Sequence, residues 1–154
     1  MKQNDEVEIL LVEDNPDDLE LALHALRLNN LANHIEVARD GEEALDFFFC
    51  RGRFAERSHD SQPSVVLLDL KLPKIDGLEV LRVVKSDPRT RAIPVVVLTS
   101  SKEESDLVRC YQMGVNSYIQ KPLDFVQFRD AVKQLGLYWL AVNQTPPPNA
   151  GVPH

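Results

Sequence analysis

Hydrophobic positions along this chain follow two periods in turn. Val65-Val66-Leu67-Leu68 is a continuous apolar run that ends in one carboxylate, Asp69. Such a run predicts a strand covered on both faces, as inside a parallel sheet. Val7 to Val12 is a second run and ends in Glu13-Asp14. Ile35 to Ala38 alternates like a short strand. Pro94 to Leu98 runs into Thr99, and Val115 to Ile119 leads to Gln120-Lys121-Pro122.

Between these runs the apolar spacing changes to three and four. Asn15 can cap a helix that starts at Pro16, has Asp17 and Asp18 in its first turn, and ends in Asn29-Asn30. Its inward positions are Leu19, Ala22, Leu23 and Leu26. Asp40-Gly41 reads as a turn, followed by a helix from Glu42 to Phe49 with Ala44, Leu45 and Phe48 inward. A third helix runs from Leu78 to Ser86 (Leu78, Leu81 and Val84 inward), stopped by Asp87-Pro88. A fourth runs from Glu104 to Met113, closed by Gly114 at C′. The last begins at Asp124, with Gln127 at capping-box spacing, and carries Phe128, Val132, Leu135, Trp139 and Val142 as one stripe.

Residues 51 to 63 are polar and predict a surface loop. Residues 143 to 154 contain four prolines and predict a disordered tail. Five alternations of strand and helix predict a five-stranded parallel α/β sheet, helices on both faces, in one domain over residues 1–142.

A net charge of −7 argues against a nucleic-acid surface. The first residues lack the apolar core of a signal peptide, and no stretch approaches the ~18 apolar residues of a membrane span. Cys50 and Cys110 form no metal-type spacing and read as free thiols. The expected location is the cytoplasm.

In a parallel sheet the carboxyl ends of all strands open on one edge. Glu13, Asp14, Asp69, Thr99 and Lys121 all fall there. Two unit charges about 4 Å apart repel by roughly 4 kcal/mol at an effective dielectric of 20, so three carboxylates need protons or a cation. Hard carboxylate oxygens with room for waters and phosphate oxygens suit Mg²⁺, or Mn²⁺ in its place. Lys121 brings a point charge and Thr99 a hydroxyl, which together suit a phosphoryl group. The central carboxylate can then be the nucleophile of an aspartyl-phosphate. Taken singly, each residue also has a plain structural explanation as a cap, a turn residue or a solvated side chain.

Val-Glu-Asp-Asn-Pro, Leu-Leu-Asp-Leu-Lys-Leu-Pro-Lys-Ile-Asp-Gly-Leu, Val-Val-Leu-Thr-Ser-Ser and Ser-Tyr-Ile-Gln-Lys-Pro resemble the receiver domain of two-component response regulators over nearly the whole chain. The spacings from Asp69 to Thr99 and from Thr99 to Lys121 match that family. The longer gap from Asp14 to Asp69 fits an insertion at 51–63. Asn-Pro-Asp-Asp after the acidic pair, that insertion, Asp87-Pro88-Arg89 and an aromatic-ended last helix resemble the single-domain regulators paired with cyanobacterial phytochromes.

The resemblance implies a (βα)5 flavodoxin-like fold and a set of roles. Asp69 would take the phosphoryl group from a sensor histidine kinase, of bacterial phytochrome type. Asp14, Asp69 and the backbone carbonyl of Lys71 would bind the metal, with Glu13 acting through water. Thr99 and Lys121 would hold phosphoryl oxygens, and a cis peptide would join Lys121 to Pro122. Tyr118 matches the switch aromatic that follows Thr99. Ser100, beside the phosphate, stands where the family often has Ala or Gly.

With no DNA-binding domain following, output would be contact with a protein whose identity the sequence does not give. Leu137, Tyr138 and Leu140 lie off the apolar stripe of the last helix and suggest a homodimer. Two competing readings are an aspartyl-phosphate phosphatase and a receiver fold that binds partners without phosphorylation. The first is disfavoured because Lys71 occupies the place of the phosphatases' second Asp.

Overall fold

The computed structural model describes residues 9–28, 34–99, 104–120 and 125–136. The elements are β1 (Ile9–Val12), α1 (Pro16–Leu28), β2 (Ile35–Ala38), α2 (Gly41–Phe48), a 3₁₀ turn (Gly52–Phe54), β3 (Val65–Asp69), α3 (Gly77–Ser86), β4 (Val95–Thr99), α4 (Glu104–Gln112), β5 (Ser117–Gln120) and α5 (Phe125–Gly136). All five strands are parallel, in the order β2-β1-β3-β4-β5.

Strand alternation divides the core in two. Leu10, Val12, Val66, Leu68, Val95 and Val97 face α2, α3 and Cys110 of α4. Ile9, Leu11, Val65, Leu67, Val96 and Leu98 face α1 and Phe128 of α5. Both faces of β1, β3 and β4 are therefore covered, which is why these strands read as unbroken apolar runs.

The caps follow the sequence signals. Asn15 Oδ1 accepts from the backbone N–H groups of Asp17 and Asp18, each at 2.9 Å. Asp40, expected in a turn with Gly41, instead caps α2, accepting from the N–H of Glu43 at 2.7 Å. Gly41 and Gly77 each open a helix one residue earlier than the apolar spacing predicts. Gly114 has φ +93°, as its C′ position requires. Thr90 is fully buried, and its hydroxyl donates to the Val84 carbonyl at 2.6 Å near the end of α3.

Some inward positions shift by two. Ala25 and Val80 are buried, whereas Leu23 and Leu78 are only half-buried. Segment 51–63 is more than a surface loop. Phe54 is buried and meets the Phe47 ring edge-on at 5.2 Å. The Arg57 guanidinium lies 3.7 Å from the Phe47 centroid and donates to the carbonyls of Phe47 and Ser61. Burial lowers its pKa from the ordinary arginine value. Arg53 Nη2 donates to the Val37 carbonyl at 3.0 Å and pairs with Glu36 and Glu43, while Glu43 accepts from the Arg39 N–H. Side chains thus occupy the outer edge of β2, a protection against edge-to-edge pairing.

The segment after β3 is stapled to both helices that flank it. Gly41 N–H donates to the Pro73 carbonyl at 3.2 Å and Gly77 N–H to the Leu70 carbonyl at 2.9 Å. A Cβ on Gly41 would collide with the Ile75 carbonyl, and one on Gly77 with the Asp69 carbonyl. Lys74 takes up a left-handed φ of +68° between these staples.

Gly77→Ala is expected to lower stability by about 2–3 kcal/mol, the cost of forcing a methyl into a filled space. A urea midpoint equal to wild type would show that the segment simply moves aside. Cys50 and Cys110 are free, and Cys110 is buried. Burial, with Asp106 adding to it and Arg109 opposing, pushes the Cys110 thiol up to about 11. At pH 8 that thiol stays protonated, so a native thiol titration should read one reactive cysteine, Cys50, and a denatured one both. Two fast thiols in the native protein would contradict this packing.

Candidate functional site

β1 lies between β2 and β3, so the connections after the neighbouring strands β1 and β3 lead in opposite directions, one to β2 and the other to β4. A crevice opens at the carboxyl ends of strands where the order reverses in this way. Register decides what meets there. Val12 pairs with Leu68, which puts Glu13 and Asp69 side by side, one step further along. Asp69 pairs with Leu98, and Thr99 closes β4 opposite Gln120.

Carboxylate oxygens of Glu13, Asp14 and Asp69 lie within 4.8 Å of one another. Glu13 is 1% exposed and Asp69 6%, while Asp14 stands open to solvent. Glu13 Oε2 accepts from the Asn15 N–H at 3.2 Å, and Glu13 N–H donates to the Ala38 carbonyl at 3.0 Å. Asp69 Oδ1 accepts from the Lys71 N–H at 3.2 Å. These bonds orient the acids but leave them close together, and each pair at such range repels by about 3–4 kcal/mol at an effective dielectric of 20. Three hard oxygens this close, two on buried residues and one exposed, fit a small divalent cation that retains waters.

Lys71 begins the stapled segment after β3 and is exposed. Tyr118, in β5, is half-buried and packs against the core layer shared by α2 and α3. Beside the carboxylates a cleft of about 670 Å³ runs between the segment after β3 and α4, lined by Asp14, Lys71 and Asp76 and, from α4, by Asp106 and Arg109.

The structure thus brings together Glu13, Asp14, Asp69 and Lys71 and ends β4 at Thr99. Several expected residues lie outside those described. These are Ser100, Lys121 and its bond to Pro122, the Asp124 cap, the dimer candidates Leu137, Tyr138 and Leu140, and the tail 143–154. Sequence reasoning missed Gly41 and Gly77, which hold the segment against Asp69. Both follow an Asp, and by local pattern Asp40-Gly41 reads as a turn and Asp76-Gly77 as loop; a glycine at the start of an apolar helical period is the available signal.

The model of the response regulator receiver domain matches residues 9–133. The probable methanogenesis regulatory protein FilR2 of Methanothrix harundinacea is 46% identical over 140 residues, spanning 91% of this chain and 88% of that protein. The phosphorylated cyanobacterial phytochrome response regulator RcpA superposes with a TM-score of 0.81 at 40% identity, covering 92% of this chain and 99% of that one. The bacteriophytochrome response regulator AtBRR is 57% identical with a TM-score of 0.71, covering 87% and 96%. With its sheet order, its acidic crevice and these likenesses in agreement, the chain belongs to the receiver-domain response regulators of two-component signalling.

Proposed function

We propose that this protein is a phosphorylation-switched signalling module that accepts a phosphoryl group on Asp69 from the phosphohistidine of a sensor histidine kinase. The observation that carries this is the carboxylate cluster at the strand-order reversal, with Asp69 at its buried centre. A carboxylate oxygen of Asp69 attacks phosphorus, the P–N bond breaks, and the imidazole leaves with the electron pair. Asp14, Asp69 and the Lys71 carbonyl would hold Mg²⁺ or Mn²⁺ directly, with Glu13 acting through water. When bound, that cation offsets the charge of the acids and of the incoming phosphoryl group.

Thr99 and Lys121 would receive phosphoryl oxygens, with Ser100 adjacent. Movement of Thr99 would be passed to Tyr118, which already rests against the core and so has two sides between which to divide its population. The resemblance to RcpA and AtBRR supports a kinase of phytochrome type and a cytoplasmic setting; no helix among the described residues is long and apolar enough to cross a membrane. Output would pass by protein contact, with a homodimer through Leu137, Tyr138 and Leu140 as one arrangement. The chain acts as a phosphoacceptor that assists its own chemistry rather than as an enzyme on outside substrates.

Incubation with acetyl phosphate and Mg²⁺ should place one acid-stable, alkali-labile phosphoryl group per wild-type chain and none on Asp69→Asn. Label on the variant would move the acceptor elsewhere, and multiple turnover of unrelated phosphoesters would favour a phosphatase. Without metal, Asp14→Asn should raise the melting temperature, because it removes one of three repelling charges, by about 1–3 kcal/mol of stability. In wild type, Mg²⁺ should raise the melting temperature and a chelator reverse the rise, whereas the variant should respond weakly. Equal metal responses would show that Asp14 is not a ligand.

A further inference from the structure

Among the described residues most cations are already engaged. Arg51, Arg53, Lys74, Arg82, Arg89 and Arg129 pair with carboxylates. Arg57 and Lys85 donate to backbone carbonyls. Lys71 and Arg109 line the cleft that Asp14 also lines, and neither forms an ion pair with another described residue; Lys71 follows Asp69 on the same segment, whereas Arg109 comes from α4 on the other wall. Long side chains on a helix lean toward its N-terminus. For Arg109 that is the start of α4, the end that follows β4 at the edge where Asp69 sits.

A phosphoryl donor must approach Asp69 from outside, with its leaving group pointing away from the carboxylate. The cleft beside Asp14, between the segment that follows Asp69 and α4, offers such a route. We propose that Arg109 receives the carboxylate that leaves when an acyl phosphate charges Asp69, and so sets the preference among small phosphodonors. This rests on the phosphoacceptor role of Asp69 proposed above. Asp14, Asp76 and Asp106 line the same cleft beside Lys71 and Arg109, so an extended acidic partner would meet repulsion where a small monocarboxylate finds a cation on the α4 wall.

The chemistry distinguishes two donors. With acetyl phosphate, Asp69 oxygen bonds to phosphorus, the P–O bond to the acyl group breaks, and acetate departs with the electron pair as an anion. With phosphoramidate, whose nitrogen is already protonated, the P–N bond breaks and ammonia departs neutral. Only the first leaving group develops charge that a guanidinium can stabilise.

The test is the rate of phosphorylation of Asp69 by each donor, at one Mg²⁺ concentration, in wild type, Arg109→Gln and Arg109→Lys. Arg109→Gln should slow acetyl phosphate by about five- to tenfold, the size of one partly exposed charge-assisted hydrogen bond, and leave phosphoramidate unchanged. Arg109→Lys should recover most of the loss. The ratio of the two rates does not depend on the fraction of folded protein, so a poorly folding variant still reports. An unchanged ratio in Arg109→Gln overturns the assignment. Wild type that accepts from neither donor would instead bring down the phosphoacceptor reading itself.

Discussion

Glu13, Asp14 and Asp69 repel one another, and the sheet holds them together in spite of it. Two acids are carried by adjacent buried strands whose register leaves no choice of neighbour. A slip of one residue would turn every apolar side chain of β1 or β3 to the opposite layer. The core therefore opposes the separation that the charges favour. The stored repulsion favours a cation at this edge and, without one, opposes any further negative group, and it ties the stability of the apolar layers to the occupancy of the site.

Much of this was legible in the sequence, for definite reasons. β1, β3 and β4 are covered on both faces, so their apolar runs were unambiguous and their last residues named the site. Asn15-Pro16-Asp17-Asp18 marked the start of α1 because capping chemistry is local. What was misplaced depended on distant contacts. Leu23 and Ala25, or Leu78 and Val80, are separated by two positions on a helix, and the layer above decides which is covered. Gly41 reads as a turn residue and Gly77 as a loop residue because nothing local says that another backbone passes where their Cβ would be.

Segment 51–63 shows the same limit. Its polarity predicted solvent, yet its arginines are bound to the fold by their planar groups. Arg57 covers the Phe47 ring, and Arg53 reaches the edge of the sheet. Charged residues whose stems and faces pack on aromatic surface look like loop residues in a hydropathy pattern. The pattern has no means to show a guanidinium laid on a ring.

The closure of the β2 edge has a directional consequence. A five-stranded open sheet has two rims, and one of them is occupied by Arg53 and Glu43. The other belongs to β5, the strand that carries Tyr118. The β2 rim is thus held against edge pairing by the chain's own side chains, drawn from the 51–63 segment and from α2. An insertion that looks dispensable by its polarity therefore also guards a sheet edge.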